Sequence, residues 1–104
     1  MVHALKTYPE YFVDALAGNK NFEVRYKDRD FKVGDILALN EYDPVSQKFT
    51  GRSFITWISY ILGDEKYCKE GYVILGFIPC RIEIENQQPY KGPILIQGIK
   101  ERYE

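Results

Sequence analysis

A chain of 104 residues, 45% hydrophobic and 28% charged, has the size and composition of one folded domain over residues 1–104 and excludes a disordered chain. Fourteen Lys and Arg against fifteen Asp and Glu give a formal net charge of −1. That balance excludes wrapping of duplex nucleic acid through bulk positive charge and leaves only a small local site for such a partner.

A short strand opens the chain, and Thr7-Tyr8-Pro9-Glu10 then fits a capping box, with Pro9 tolerated in the first turn. Tyr8, Tyr11, Phe12, Ala15 and Leu16 recur at helical spacing and predict one apolar face, ended by Gly18. Residues 21–26 alternate as a strand, with Phe22, Val24 and Tyr26 on one side and Glu23 and Arg25 on the other. Gly34-Asp35 turns into a strand over residues 36–42. The polar stretch 43–51, with Pro44 and a closing Gly51, reads as a hairpin loop.

Residues 53–62 are apolar on both faces, which predicts a strand buried twice with Trp57 in the core. Residues 63–71 break the pattern, and 72–84 form the next strand, bent at Gly76 or Pro79. Residues 94–99 read as an extra strand and 100–104 as a frayed tail. The fold class is mostly β with one early helix (α+β), as a small closed barrel or a curled sheet with the helix over one opening.

No apolar run approaches the roughly 18 residues of a membrane span. The start, residues 1–6, lacks a basic patch followed by an apolar stretch. A cytoplasmic protein without membrane association is expected. Cys68 and Cys80 read as free thiols, one in a loop and one in a strand. No phosphate-cradling glycine loop, dinucleotide fingerprint or metal-ligand spacing is present, so no cofactor and no metal are expected. Asp28-Arg29-Asp30 reads as a turn and Asp35 as a brace for the Gly34 turn, while the lone His3 reads as structural or exposed.

The stretch that stands out is Gly18-Asn19-Lys20-Asn21-Phe22-Glu23-Val24-Arg25, which gathers three ionisable groups where a helix end meets a strand start. On spacing alone the simpler reading is a solvent-facing strand, its Glu–Arg pair contributing at most ~1 kcal/mol. The other is a grip on a phosphate or on the edge of a base, the carboxylate orienting the cations.

Gly18-x-Lys20-x-x-Glu23-x-Arg25 also matches the signature G-x-K-x-x-E-x-R, and on it the chain resembles the ASCH domain family of the PUA-like superfamily. His3-x-Leu5-Lys6, Asp28-Arg29-x-Phe31-x-Val33-Gly34-Asp35, Glu41-Tyr42 and Thr50-Gly51-Arg52 resemble a short bacterial and phage branch of that group, generally carried as a domain of unknown function. The resemblance covers residues 3–78. It implies a PUA-like β-barrel with a helix after its first strand and a cleft beside that helix. Lys20, Glu23 and Arg25 would meet in the cleft, with Lys6 and Arg52 as cationic walls and Tyr42 placed to stack on a base.

The function implied is binding of RNA or a nucleotide-like ligand. Two alternatives stay open. One is a small hydrolase acting on a modified nucleoside or on RNA, with Lys20 as base or nucleophile and Glu23 as proton carrier. In the family's amidohydrolase branch a Thr stands three residues after the Lys, where this chain has Glu23, and that counts against the same hydrolysis. The other is a phage or mobile-element accessory protein that works through protein contacts.

Overall fold

Parallel pairing between the first strand and the third forces the chain to leave the sheet and return, and the only helix of the described residues lies in that excursion. The computed structural model describes residues 1–80. Its elements are β1 (Val2–Thr7), α1 (Pro9–Leu16), β2 (Phe22–Tyr26), β3 (Ile36–Asp43), β4 (Lys48–Leu62) and β5 (Tyr72–Pro79). They form one five-stranded sheet in the order β1-β3-β4-β5-β2. β1 and β3 run parallel, and every other pair is antiparallel. The edge strands β1 and β2 do not share a ladder, yet an Arg25 Nη2 donates to the Lys6 carbonyl at 2.8 Å. The sheet is therefore curled until its two edges almost meet, a half-barrel with an open seam.

Strand alternation explains the core. Leu5, Leu37, Leu39, Ile58, Leu75 and Phe77 point to the concave side and cluster with Ala15 of α1. Each such side chain contributes roughly 1.5–3 kcal/mol by leaving water. On the convex side, Ala4, Ala38 and Ile55 lie in one cross-strand row and form a second buried cluster with Cys80. Both thiols are free and buried; Cys68 lies in the β4–β5 loop, and Cys80 follows the last residue of β5.

Several expectations change. Trp57 is exposed rather than in the core: alternation turns Phe54, Thr56 and Ile58 inward, so Trp57 emerges on the convex face between Ile36 and Ile78 of its neighbours. The irregularity opposite Gly76 lies on β4, where the register shifts between Ile58 and Tyr60. β4 begins at Lys48, inside the expected loop, because Asp43 compacts the turn: its carboxylate accepts from the Val45 N–H (2.9 Å) and the Ser46 hydroxyl (3.1 Å). The capping box is not made. Thr7 is the last residue of β1, and the N-cap is Tyr8, without a side-chain cap. Only Phe12 and Ala15 of the helix are buried, while Tyr11 and Leu16 are exposed, as is the N-cap Tyr8. The expected strand portion 81–84, the strand at 94–99 and the tail at 100–104 lie outside the described residues. No helix among the described residues is long and apolar enough to cross a membrane.

The start of β1 is anchored to the Gly34 turn by one carboxylate. Asp35 accepts from buried His3 Nε2 at 2.8 Å, from the Lys32 N–H at 3.1 Å and from the Met1 amino group at 3.2 Å. Burial by itself raises the Asp35 pKa, but the three donors and the nearby positive charge outweigh it and hold the carboxyl below its ordinary range. A depressed native pKa means stability present at neutral pH and lost as pH falls through that value. Asp35→Asn is therefore expected to cost about 2 kcal/mol at pH 7, the scale of hydrogen bonds to a charged group. In denaturant unfolding followed from pH 7 down to strong acid, the gap to the wild type should narrow as the native carboxylate is protonated.

Candidate functional site

β2 inverts the usual rule for a strand at a surface. Glu23 and Arg25 are only 5% and 9% exposed, while Phe22, Val24 and Tyr26 are between 42% and 54% exposed. The simpler reading, a solvent-facing Glu–Arg pair, is thereby overturned. The pairing of β2 with β5 sets Glu23 opposite Leu75 and Arg25 opposite Val73, so both charged side chains share the concave face with the core. Without compensation, buried charge of this kind is strongly unfavourable. Here the compensation is local. Arg25 lies 3.4 Å from Glu23 Oε2 and caps the Lys6 carbonyl, while Lys20 donates to Glu23 Oε1 at 2.9 Å.

The end of α1 delivers Lys20 to this group. Gly18 adopts φ +84°, and its N–H reaches the Ala15 carbonyl (3.1 Å) while the Asn19 N–H reaches that of Asp14 (2.9 Å), a Schellman closure. The Lys20 N–H bonds to the same Asp14 carbonyl at 3.0 Å, so the chain reverses tightly and enters β2 with the Lys20 side chain against Glu23. The Gly-x-Lys-x-x-Glu-x-Arg spacing is thus the spacing of a helix stop, a reversal and two inward positions of one strand.

A cleft of about 560 Å³ opens at the seam. β1 supplies Lys6 and Thr7, the entry to α1 supplies Tyr8 and Tyr11, and the reversal with β2 supplies Lys20 and residues 22–25. The charged side chains in its walls are three cations, Lys6, Lys20 and Arg25, and one carboxylate, Glu23, so positive charge is in excess although the whole chain is at −1. The Lys20 ammonium lies 5.7 Å from the Tyr11 ring centroid and 5.4 Å from that of Phe22. Thr7, 2% exposed, points to the concave side, and its hydroxyl has no hydrogen-bond partner among the described residues.

Of the residues singled out in the sequence, Lys6, Lys20, Glu23 and Arg25 line this cleft, whereas Arg52 and Tyr42 do not. Arg52 is committed to Glu41, with Nε and Nη2 each 2.9 Å from a carboxylate oxygen, and its guanidinium lies 4.9 Å from the Phe12 ring. That fork, together with a 2.6 Å bond from the Thr50 hydroxyl, holds Glu41 below the ordinary carboxylate range against its burial, and the same pair raises Arg52. Tyr42 packs edge-on against Phe49 and carries the Lys6 ammonium 4.3 Å above its ring. Thr7, Tyr8, Tyr11 and Phe22 join the cleft without having been singled out. Thr7 and Tyr8 read as a helix start, and Tyr11 as part of a buried face. The available signal was strand spacing, which puts the Thr7 hydroxyl on the same face as Leu5 two residues earlier. Among the described residues no group of three His, Cys, Asp or Glu side chains is arranged to hold a metal ion.

Residues 2–77 match the sequence model of a family described as "Domain of unknown function (DUF3850)". The chain belongs to this family. A relative, the "Uncharacterized 12.9 kDa protein in GpA 3'region" of Escherichia phage P2, is 38% identical over 74 residues. The matched segment is 71% of this chain and spans 65% of that relative's length. All the cleft residues, and the Glu41–Arg52 pair beside them, fall inside the span matched by the DUF3850 family.

Arg25 bridges the open seam, so its loss should be felt as stability. Arg25→Met leaves a buried carboxylate short of one partner and the Lys6 carbonyl uncapped, with an expected cost of about 3–5 kcal/mol. The double variant Glu23→Leu with Arg25→Met should recover much of that loss, because the uncompensated charge goes with it. Urea unfolding of the two variants beside the wild type reads both numbers.

Proposed function

We propose that this chain is an ASCH-type domain of the PUA-like superfamily whose seam cleft binds RNA or a nucleotide-like ligand. The observation that carries the reading is the inversion of β2, which turns Glu23 and Arg25 into the cleft and leaves Phe22 at its rim. A strand stabilised for its own sake would place those residues the other way round, and such local rule-breaking is expected at functional positions. The volume suits a ligand of nucleotide size, within the roughly 300–1,000 Å³ range of small-molecule sites. Half-exposed Tyr11 and Phe22 supply ring faces of the kind that stack on unpaired bases. Lys20 and Arg25 contact phosphate or base acceptors, Glu23 accepts from a base N–H, and Lys6 flanks them. Arg52 and Tyr42 act one step away, bracing the wall through Glu41 and through the Lys6 ammonium.

The test is an NMR titration of labelled protein with short single-stranded RNAs and nucleosides. Backbone shifts should cluster on residues 18–25 and Lys6, and Lys20→Ala should weaken binding about tenfold, the loss of one charge-assisted hydrogen bond. With two or three phosphate contacts to a single strand, the log–log salt slope should be about −1.4 to −2.1. An intact fold with no shifts in the cleft would remove nucleic acid from consideration and favour a protein partner. Turnover of a ligand, abolished by Lys20→Ala, would replace binding with hydrolysis.

A further inference from the structure

Three polar side chains point to the concave side where the edge strands meet: Thr7 from β1, and Glu23 and Arg25 from β2. Their hydrogen bonding is uneven. Arg25 is held by the Lys6 carbonyl and by Glu23, and Glu23 by Lys20 and Arg25, whereas the Thr7 hydroxyl has no partner among the described residues. A native structure seldom keeps a buried hydroxyl unsatisfied, and one at a cleft wall is available to a bound group. Glu23 keeps acceptor capacity, since a carboxylate offers about four lone-pair sites and two are engaged. The cleft walls therefore offer a hydroxyl from β1 and a carboxylate from β2. Together they complement a neutral edge with a donor next to an acceptor. They do not complement a phosphate, which Glu23 would repel.

Ring faces and free positive charge lie elsewhere on the walls. Tyr11 and Phe22 are half-exposed, and the Lys6 ammonium rests on Tyr42 without a carboxylate partner among the described ion pairs. From this distribution we infer that the cleft takes a single nucleobase edge-first. The Thr7 hydroxyl and the Glu23 carboxylate read the base edge, and the attached phosphate stays at the Lys6 side. The inference rests on the nucleotide-binding reading and deepens it by assigning the two ends of the ligand. The shared chemistry is one nucleobase, whether of a free nucleotide or of one unpaired residue in an RNA.

The experiment compares the four ribonucleosides, their 5′-monophosphates and a mixed-sequence RNA pentamer by calorimetry on the full chain. Thr7→Val is nearly isosteric and removes an unsatisfied hydroxyl, so it should raise the thermal midpoint. It should also weaken nucleoside and monophosphate by one common factor of about ten. Thr7→Ser, which keeps the hydroxyl, should restore most of the affinity. Lys6→Gln should weaken the monophosphate more than the nucleoside. Binding by Thr7→Val equal to the wild type would overturn the inference, and so would a lowered thermal midpoint or failure to fold, since the hydroxyl would then have a structural partner. Binding of the pentamer without any monomer would also overturn it, while the RNA-binding reading stood. If neither the monomers nor the pentamer bound the wild type, both would fall.

Discussion

One guanidinium holds the two ends of the sheet together. Arg25 reaches from β2 across the seam to the Lys6 carbonyl of β1, while Glu23, two residues earlier on the same strand, balances its charge. A ladder between β1 and β2 would have closed the barrel and filled the seam with backbone hydrogen bonds. A side-chain bridge leaves a cleft of about 560 Å³ and still satisfies an edge carbonyl. The cleft lies at this link, and Glu23 is buried beside it.

The rest of the molecule keeps that seam in register. Asp35 ties the start of β1 to the turn before β3, and the parallel β1–β3 ladder carries that position along to Lys6 and Thr7. On the other side, the Schellman closure of α1 sets Lys20 against Glu23 before β2 begins. Glu41, opposite Thr7 in register, is taken by Arg52 and Thr50 and leaves the Thr7 hydroxyl to the cleft. Glu23 at the seam and Glu41 beside it each keep their own cationic partners, Lys20 and Arg25 for the first and Arg52 for the second.

Membership in the DUF3850 family and likeness to a phage protein name relatives without naming a chemistry. Positive charge in excess, half-exposed rings and an inward carboxylate form a mixed surface along the cleft.

Much of the architecture was legible in the residue pattern: one helix after a first strand, four strands following it, the stop at Gly18 and the turn at Asp35. Those features depend on periodicity and on local backbone chemistry, which a linear sequence carries. Lys20, Glu23 and Arg25 stood out for the same reason, since their spacing is that of a helix stop followed by alternate strand positions. Alternation separates two faces of β2 but does not say which one turns inward. That was decided by the pairing of β2 with β5 and by the curl that brings β1 across from it. The same long-range packing placed Trp57 outside, freed Tyr8 and Tyr11 from the core, committed Arg52 to Glu41 and brought Thr7 to the cleft. Each of these outcomes depends on a residue distant in sequence, and only the tertiary structure supplies such a partner.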